Sequence, residues 1–441
     1  MMIGYYFGLG LRHLRRNPIL TALMVLTLAC GIAASMATLT VLRAMSADPI
    51  PQKSDRLVTP LLDIRPNDGT DDDEPEPPYQ LTYRDAVGLH AAKKGVHQAV
   101  MYQVGPVIES MQPNVPPIFG SGMATSTDLF AILDVPFVRG GAWSAQDDER
   151  GGNVAVIRQK VADKLFGASE PVGQTVRMET KDFRIVGVIA DEWEPQPHFY
   201  RIVGGPGAFS DNIDVLVPFS AAIALEWGQQ GSTNCYAEDS NAGTFAGLKQ
   251  SECVWMTLWV ELRTASEIPA YKDFLVGYQS EQRKLGRLPR PDNHRVFDVN
   301  GWLATNKIVS QDARTQTYLA FGFLLVCLVN VVGLLLAKFT ARAGEIGVRR
   351  ALGARKISVF QQYLTEAAVV GFVGGVVGLA LTFGSLWLIG RQSEQLARLA
   401  HMDWVMLATT IALAIVASLI AGLLPTWRAM KVQPALQLKS Q

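Results

Sequence analysis

At 441 residues, 49% of them hydrophobic and only 18% charged, the chain has room for several soluble domains or for one such domain plus membrane spans. Its 40 acidic and 40 basic residues cancel in number but not in place. Residues 43–316 hold 36 of the acids against 26 of the bases, a net of −10, which excludes the concentrated basic face that nucleic-acid binding requires.

In chain order, the first signal is Asn17 to Leu42, 26 residues without Asp, Glu, Lys or Arg. Three more uncharged runs follow: Thr315 to Ala337 (23 residues), Ala367 to Gly390 (24) and Trp404 to Trp427 (24). Each exceeds the roughly 20 residues that carry a helix across about 30 Å of hydrocarbon. Four spans are the expectation. Arg12, Arg15 and Arg16 ahead of the first run, with Ala44-Met45-Ser46-Ala47 behind it, also fit a secretory leader. The run is too long for an apolar leader core of roughly 7–15 residues, so a retained anchor is expected.

Between the first two spans the pattern is mixed α/β. Residues 66–78, PNDGTDDDEPEPP, read as a solvated loop with nothing to bury. Asp128 to Leu133 reads as a helix, Asn153 to Ile157 as a strand, Gln159 to Phe166 as a helix and Phe183 to Ile189 as a strand. Val215 to Pro218 and Trp255 to Leu262 add two more strands. Cys235 and Cys253 are the only cysteines of this segment, and an oxidising compartment predicts a disulfide between them, stapling an irregular insertion over about 220–254. Cys30 and Cys327 fall inside spans, where a thiol is a small apolar group. The six histidines are scattered and nothing reads as HExxH or paired CxxC, so no metal site is expected.

Cations fix the expected topology. Arg12, Arg15 and Arg16 precede span one; Lys338, Arg342, Arg349, Arg350, Arg355 and Lys356 separate spans two and three; Arg428, Lys431 and Lys439 follow span four. Such flanking cations mark the cytoplasmic side, so both termini are placed inside and the acidic segment outside. The predicted fold is an α+β membrane protein: four transmembrane helices with a large mixed α/β extracytoplasmic domain between spans one and two. Its boundaries are 17–43 for span one and its stalk, 44–314 for the external domain, 315–338 for span two, and 339–366 for a cytoplasmic helix and linker. Span three is 367–390, a short external loop 391–403, span four 404–427 and a cytoplasmic tail 428–441. In span three, Gly371 with Gly375 and Gly374 with Gly378 form two overlapping GxxxG pairs that let another helix approach, within the chain or across a dimer. Glu366, read as the residue before span three, is expected to favour that helix start electrostatically.

The stretch GEIGVRRALGARKISVFQQYLTEAAVVGFVGGVVG and the terminal GLLPTWRAMKVQPALQLK resemble the FtsX-like permease domain of ABC transporters, the group that includes MacB-like exporters. STDLFAILDVPFVRGGAWSAQDD, KLFGASEPVGQTVRM and FRIVGVIAD resemble that group's periplasmic core domain. LGLRHLRRNPILTALMVLTLACGIA is similar to its first amphipathic helix and span, which implies a cytoplasmic amphipathic helix over 1–16.

The resemblance implies a non-catalytic permease of a bacterial inner membrane. No GxxxxGK[ST] phosphate loop occurs, so no cofactor is expected in this chain, and ATP and Mg belong to a partner. With only sixteen residues before span one, that partner is expected to be a separate cytoplasmic ABC ATPase. The coupling helix carries over onto Glu345 to Lys356. Glu345, Ile346, Val348, Arg349, Arg350, Leu352 and Arg355 are the candidate coupling residues, with Val348 and Leu352 one turn apart on a face separate from Ile346 and Arg350. Val348 and Leu352 would seat in the ATPase groove, Arg349 and Arg350 would meet acids at its rim, and Gly353 would break the helix. The competing reading is that the arginines enforce topology and meet lipid phosphates. Further expected partners are a second permease copy or paralogue, a periplasmic adaptor and membrane lipid, with no nucleic acid. Export of a periplasmic substrate by mechanotransmission is the favoured function. A regulatory scaffold that activates a cell-wall hydrolase and a lipoprotein-releasing permease are the alternatives.

Overall fold

The computed structural model describes residues 18–67, 76–202, 207–236, 242–290, 293–391 and 404–431. The helix expected over 1–16, nearly all of the loop 391–403, most of the acidic loop and the tail beyond Lys431 lie outside them. The chain divides into two compact units, one of residues 47–308 and one built from the stretches up to Ser46 and from Val309 onward.

The unit 47–308 is organised on a mixed sheet. His294–Asp298, Leu57–Leu62, Cys253–Glu261, His97–Val104, Gly122–Thr125, Val215–Pro218, Val154–Arg158, Lys181–Ile189, Thr175–Met178, Val107–Ser110 and Ile118–Phe119 follow one another across it. Val215–Pro218 runs parallel to Gly122–Thr125 and Lys181–Ile189 parallel to Val154–Arg158; the other neighbours along this path are antiparallel. Cys253–Glu261 is buried at every residue, as a β-branched and aromatic run covered on both faces should be. Alternation divides the core. Val58, Leu62, Val100 and Val260 pack on one face; Leu57, Leu61, Met101 and Trp259 pack on the other with Trp302.

The helix Gln159–Phe166 and the strand Val215–Pro218 have the expected bounds, and the other predicted strands are present within a residue or two. The stretch 220–254 departs from the irregular insertion expected. Phe219–Ala224 and Phe245–Gln250 are helical, and Asn234–Cys235 adds a short strand beside Cys253–Val254. The cause is local: Cys235 and Cys253 are directly opposed in that ladder and disulfide-bonded, while the Thr244 side chain accepts from the Gly247 N–H to start the second helix.

A second staple is ionic. Glu194 is buried and its carboxylate accepts from Arg158 at 2.9 Å, the Tyr200 hydroxyl at 2.6 Å and the Ile213 N–H at 3.0 Å, with Arg201 at 3.0 Å. Burial alone would raise this carboxyl, but Arg201, His198, Tyr200 and Arg158 turn the shift downward, so the group stays ionised.

The other unit has five described helices: α1 (Pro18–Met45), α2 (Gln311–Thr340), α3 (Ala343–Ala351), α4 (Lys356–Gly390) and α5 (Trp404–Met430). All but α3 are long and apolar enough to cross a membrane. One apolar cluster joins all five, including Leu28 and Ile32 of α1, Leu335 and Phe339 of α2, Ile346 of α3, Tyr363 and Val370 of α4, and Ala414 and Ala417 of α5. α2 overruns its uncharged run at both ends, α4 at its start, and α1 and α5 at their ends. The largest difference is α4, which begins at Lys356 and passes through Glu366 without a break, so the expected boundary at 366/367 is not a helix terminus. Glu366 therefore does not favour a helix start. Its charge is met from another helix, and the chain has no need to end the helix there.

The glycines of α4 face two ways. A Cβ on Gly371 would overlap the side chain of Ser418, and one on Gly375 would lie 2.6 Å from the Ala414 Cβ, both in α5. On the next face, a Cβ on Gly374 would meet Leu28 at 2.9 Å and one on Gly378 would meet Ile32 at 3.2 Å, both in α1. Absent side chains let both neighbours approach.

Candidate functional site

The basic segment between α2 and α4 forms a nine-residue helix held at its ends and along one side. α2 stops at Thr340, Arg342 precedes α3, and Gly353 at φ +96° lets the chain reverse before α4, a left-handed conformation that glycine adopts without a Cβ penalty. Helical spacing then divides the residues of α3. Ile346 is only 2% exposed and joins the membrane-unit core, whereas Val348 is 46% exposed and Leu352, just past the helix end, 83%.

The cations are more engaged than the sequence suggests. Arg349 pairs with Glu345 at 2.7 Å, one turn back, and donates to the Gln362 side chain of α4 at 3.2 Å. Arg350 donates to the Met430 carbonyl at the end of α5 at 3.3 Å. Both arginines brace α3 against its own unit. Arg355 is exposed just before α4. The result is a short helix tied to α4 and α5 that, with the residue after it, presents Val348 and Leu352.

Sequence reasoning missed the residues beneath this helix. Lys338 and Glu366 are both nearly inaccessible and pair at 2.6 Å between α2 and α4, and Arg342 approaches the same carboxylate at 3.6 Å. Phe339 meets Tyr363 edge-on at 4.5 Å beside them. Buried charges in a low-dielectric setting persist only when paired, so this cluster fixes α2 against α4 at the point where α3 is attached. The available signal was Glu366 itself, the only acid in the 35 residues of α4.

The remaining predicted residues fall elsewhere. Gly371, Gly374, Gly375 and Gly378 line helix contacts inside the membrane unit, and Cys235 and Cys253 lie in the other unit. Among the described residues no group of three or more His, Cys, Asp or Glu side chains could hold a metal ion.

An all-helical membrane unit split by a large α/β insertion, with a braced amphipathic helix between its spans, defines a permease architecture. Residues 21–273, more than half of the chain, match the MacB-like periplasmic core domain, and residues 318–434 match the FtsX-like permease C-terminal domain. The chain belongs to the MacB-like permease family. It is 26% identical over 273 residues to the macrolide export ATP-binding/permease protein MacB of Bdellovibrio bacteriovorus, covering 61% of this chain and 35% of that protein. It is 28% identical over 378 residues to the pyoverdine export ATP-binding/permease protein PvdT of Pseudomonas entomophila, covering 83% and 49%. The chain thus spans between about a third and a half of the curated relatives it matches. Among solved structures, the periplasmic region of MacB from Actinobacillus actinomycetemcomitans aligns with TM-score 0.36 and 13% identity over 58% of this chain and 94% of that one.

Proposed function

We propose that the chain is the inner-membrane permease of an ABC exporter. In this reading α3 receives ATP-driven motion from a cytoplasmic ABC ATPase, and the spans pass it to the extracytoplasmic unit, which acts on cargo already outside the membrane. The single observation that carries it is α3: a helix too short to span, anchored through Ile346, Arg349 and Arg350, with Val348 and Leu352 left uncovered. A mechanical input needs such an element, apolar where it docks and rigidly joined to what it moves. The chain passes between its two units at 46–47 and at 308–309, which supplies two covalent routes for output.

In this reading α3 and both ends of the described chain lie on the cytoplasmic side, which the flanking cations support. ATP and Mg are handled by the ATPase. Because such ATPases work in pairs, a second permease, identical or paralogous, completes the assembly, and a periplasmic adaptor is a further partner. The export character is supported by the names of the relatives, whose cargoes are their own.

The test is a mild-detergent pull-down of the tagged full chain, with mass spectrometry and an ATPase assay on the eluate. An ABC ATPase in stoichiometric amount is expected. Val348→Asp places a charge where an apolar contact forms and should weaken retention at least about tenfold, the equivalent of some 1.5 kcal/mol of lost burial, while membrane insertion persists. A wild type that retains no ATPase, or a Val348→Asp variant that retains it fully, would overturn the assignment.

A further inference from the structure

Where α4 begins and α5 ends, the two helices leave an apolar groove of about 560 Å3 between them. Ile357 and Phe360 line it from α4; Leu423, Leu424 and Trp427 line it from α5. It is open, with Ile357 55% exposed and Leu423 53%. Trp427 stands at the end of its span, the level at which indoles settle in the membrane interface.

Cations crowd the same end. Arg355 and Lys356 open α4, Arg428 and Lys431 close α5, and all four are exposed. The Lys431 ammonium lies 3.5 Å from the centre of the Trp427 ring. No carboxylate pairs with any of the four among the described residues, in contrast to Lys338, Arg342 and Arg349 nearby. An apolar channel at bilayer depth suits an acyl chain, and a cluster of unneutralised cations at its mouth suits a phosphate. A zwitterionic headgroup would bring its own ammonium into that cluster. An anionic headgroup without an ammonium, such as phosphatidylglycerol, would not.

We propose that this groove is a binding site for an anionic phospholipid, its acyl chain lying against Phe360, Leu423 and Leu424 and its phosphate held by Lys356, Arg428 and Lys431. The groove's lining comes from α4 and α5, with Met430 of the lining also tied to α3 through Arg350.

The experiment uses the full chain in phosphatidylcholine bilayers that contain a minor fraction of dibrominated phosphatidylglycerol or, separately, of dibrominated phosphatidylcholine. Bromine quenches indole fluorescence on contact, and the Trp427 signal is the difference between wild type and Trp427→Phe. At about 1 kcal/mol per juxtamembrane cation, the preference for brominated phosphatidylglycerol should be at least about fivefold. It should fall to near unity in Lys356→Gln/Arg428→Gln/Lys431→Gln and survive in Lys356→Arg/Lys431→Arg, both with unchanged helicity. Equal quenching of the wild type by the two lipids would mean ordinary boundary lipid and overturn the proposal. So would the absence of quenching by either, which would mean that protein covers the groove.

Discussion

Glu366 lies well inside α4, and its carboxylate pairs with Lys338 of α2 and, at longer range, with Arg342 between α2 and α3. Removing one member of a buried pair strands the other, at a cost of about 3–5 kcal/mol, whereas removing both leaves an apolar contact. Glu366→Met should therefore destabilise the membrane unit by about 3 kcal/mol, and Lys338→Met/Glu366→Met should regain most of it, as read by unfolding in mixed micelles. A double variant no better than the single one would show that these groups act through packing alone. At this scale the sequence was half legible. The division of Ile346 from Val348 follows from helical spacing and is observed. Lys338 and Arg342 were read for topology, and Glu366 for its place beside an apolar run, because a pairing 24 or 28 residues apart has no local signature.

At the scale of elements, the two glycine pairs of α4 were visible as spacing. Which helix each pair admits was not, since a GxxxG repeat names a face and no partner. The structure gives Gly371 and Gly375 to α5, and Gly374 and Gly378 to α1. The contrast with Gly384, around which a Cβ would meet nothing within 4 Å, makes a paired test. Gly371→Ala forces the Ser418 side chain aside and crowds the Ala414 carbonyl, and should cost about 1–3 kcal/mol in the same unfolding assay. Gly384→Ala should be neutral or stabilising by up to about 1 kcal/mol, as an unhindered helix-interior glycine allows. Equal effects would mean that α4 packs differently from the arrangement described. Helix ends were less legible than spans: a run without charge marks the hydrocarbon-crossing part of a helix, and α4 continues for eleven residues on the side of its charged end.

Over the whole molecule, residues 47–308 form a unit with its own two-faced core. Made alone and exported to an oxidising compartment, this segment should fold cooperatively to a strand-rich domain. Cys235→Ser should then lower its unfolding free energy by about 3 kcal/mol, as opening a loop of this size does in chain-entropy terms. Failure to show a cooperative transition would mean that the membrane unit is needed to complete the core. The class of this unit was legible from alternating strands and turn signals, but strands such as His97–Val104 and Leu57–Leu62 were not, because they are defined by neighbours distant in sequence.

The interruption of the membrane unit by this insertion also sets a schedule for synthesis. At roughly 5–20 residues per second, the ribosome needs on the order of 15–50 s to make residues 47–308 after α1 is complete. Until then none of the helices that α1 packs against in the finished protein exists. α1 must hold its place in the bilayer by hydropathy alone, with Gly31 and Ser35 bare to lipid until Cys327 and the Ala320 carbonyl arrive to cover them.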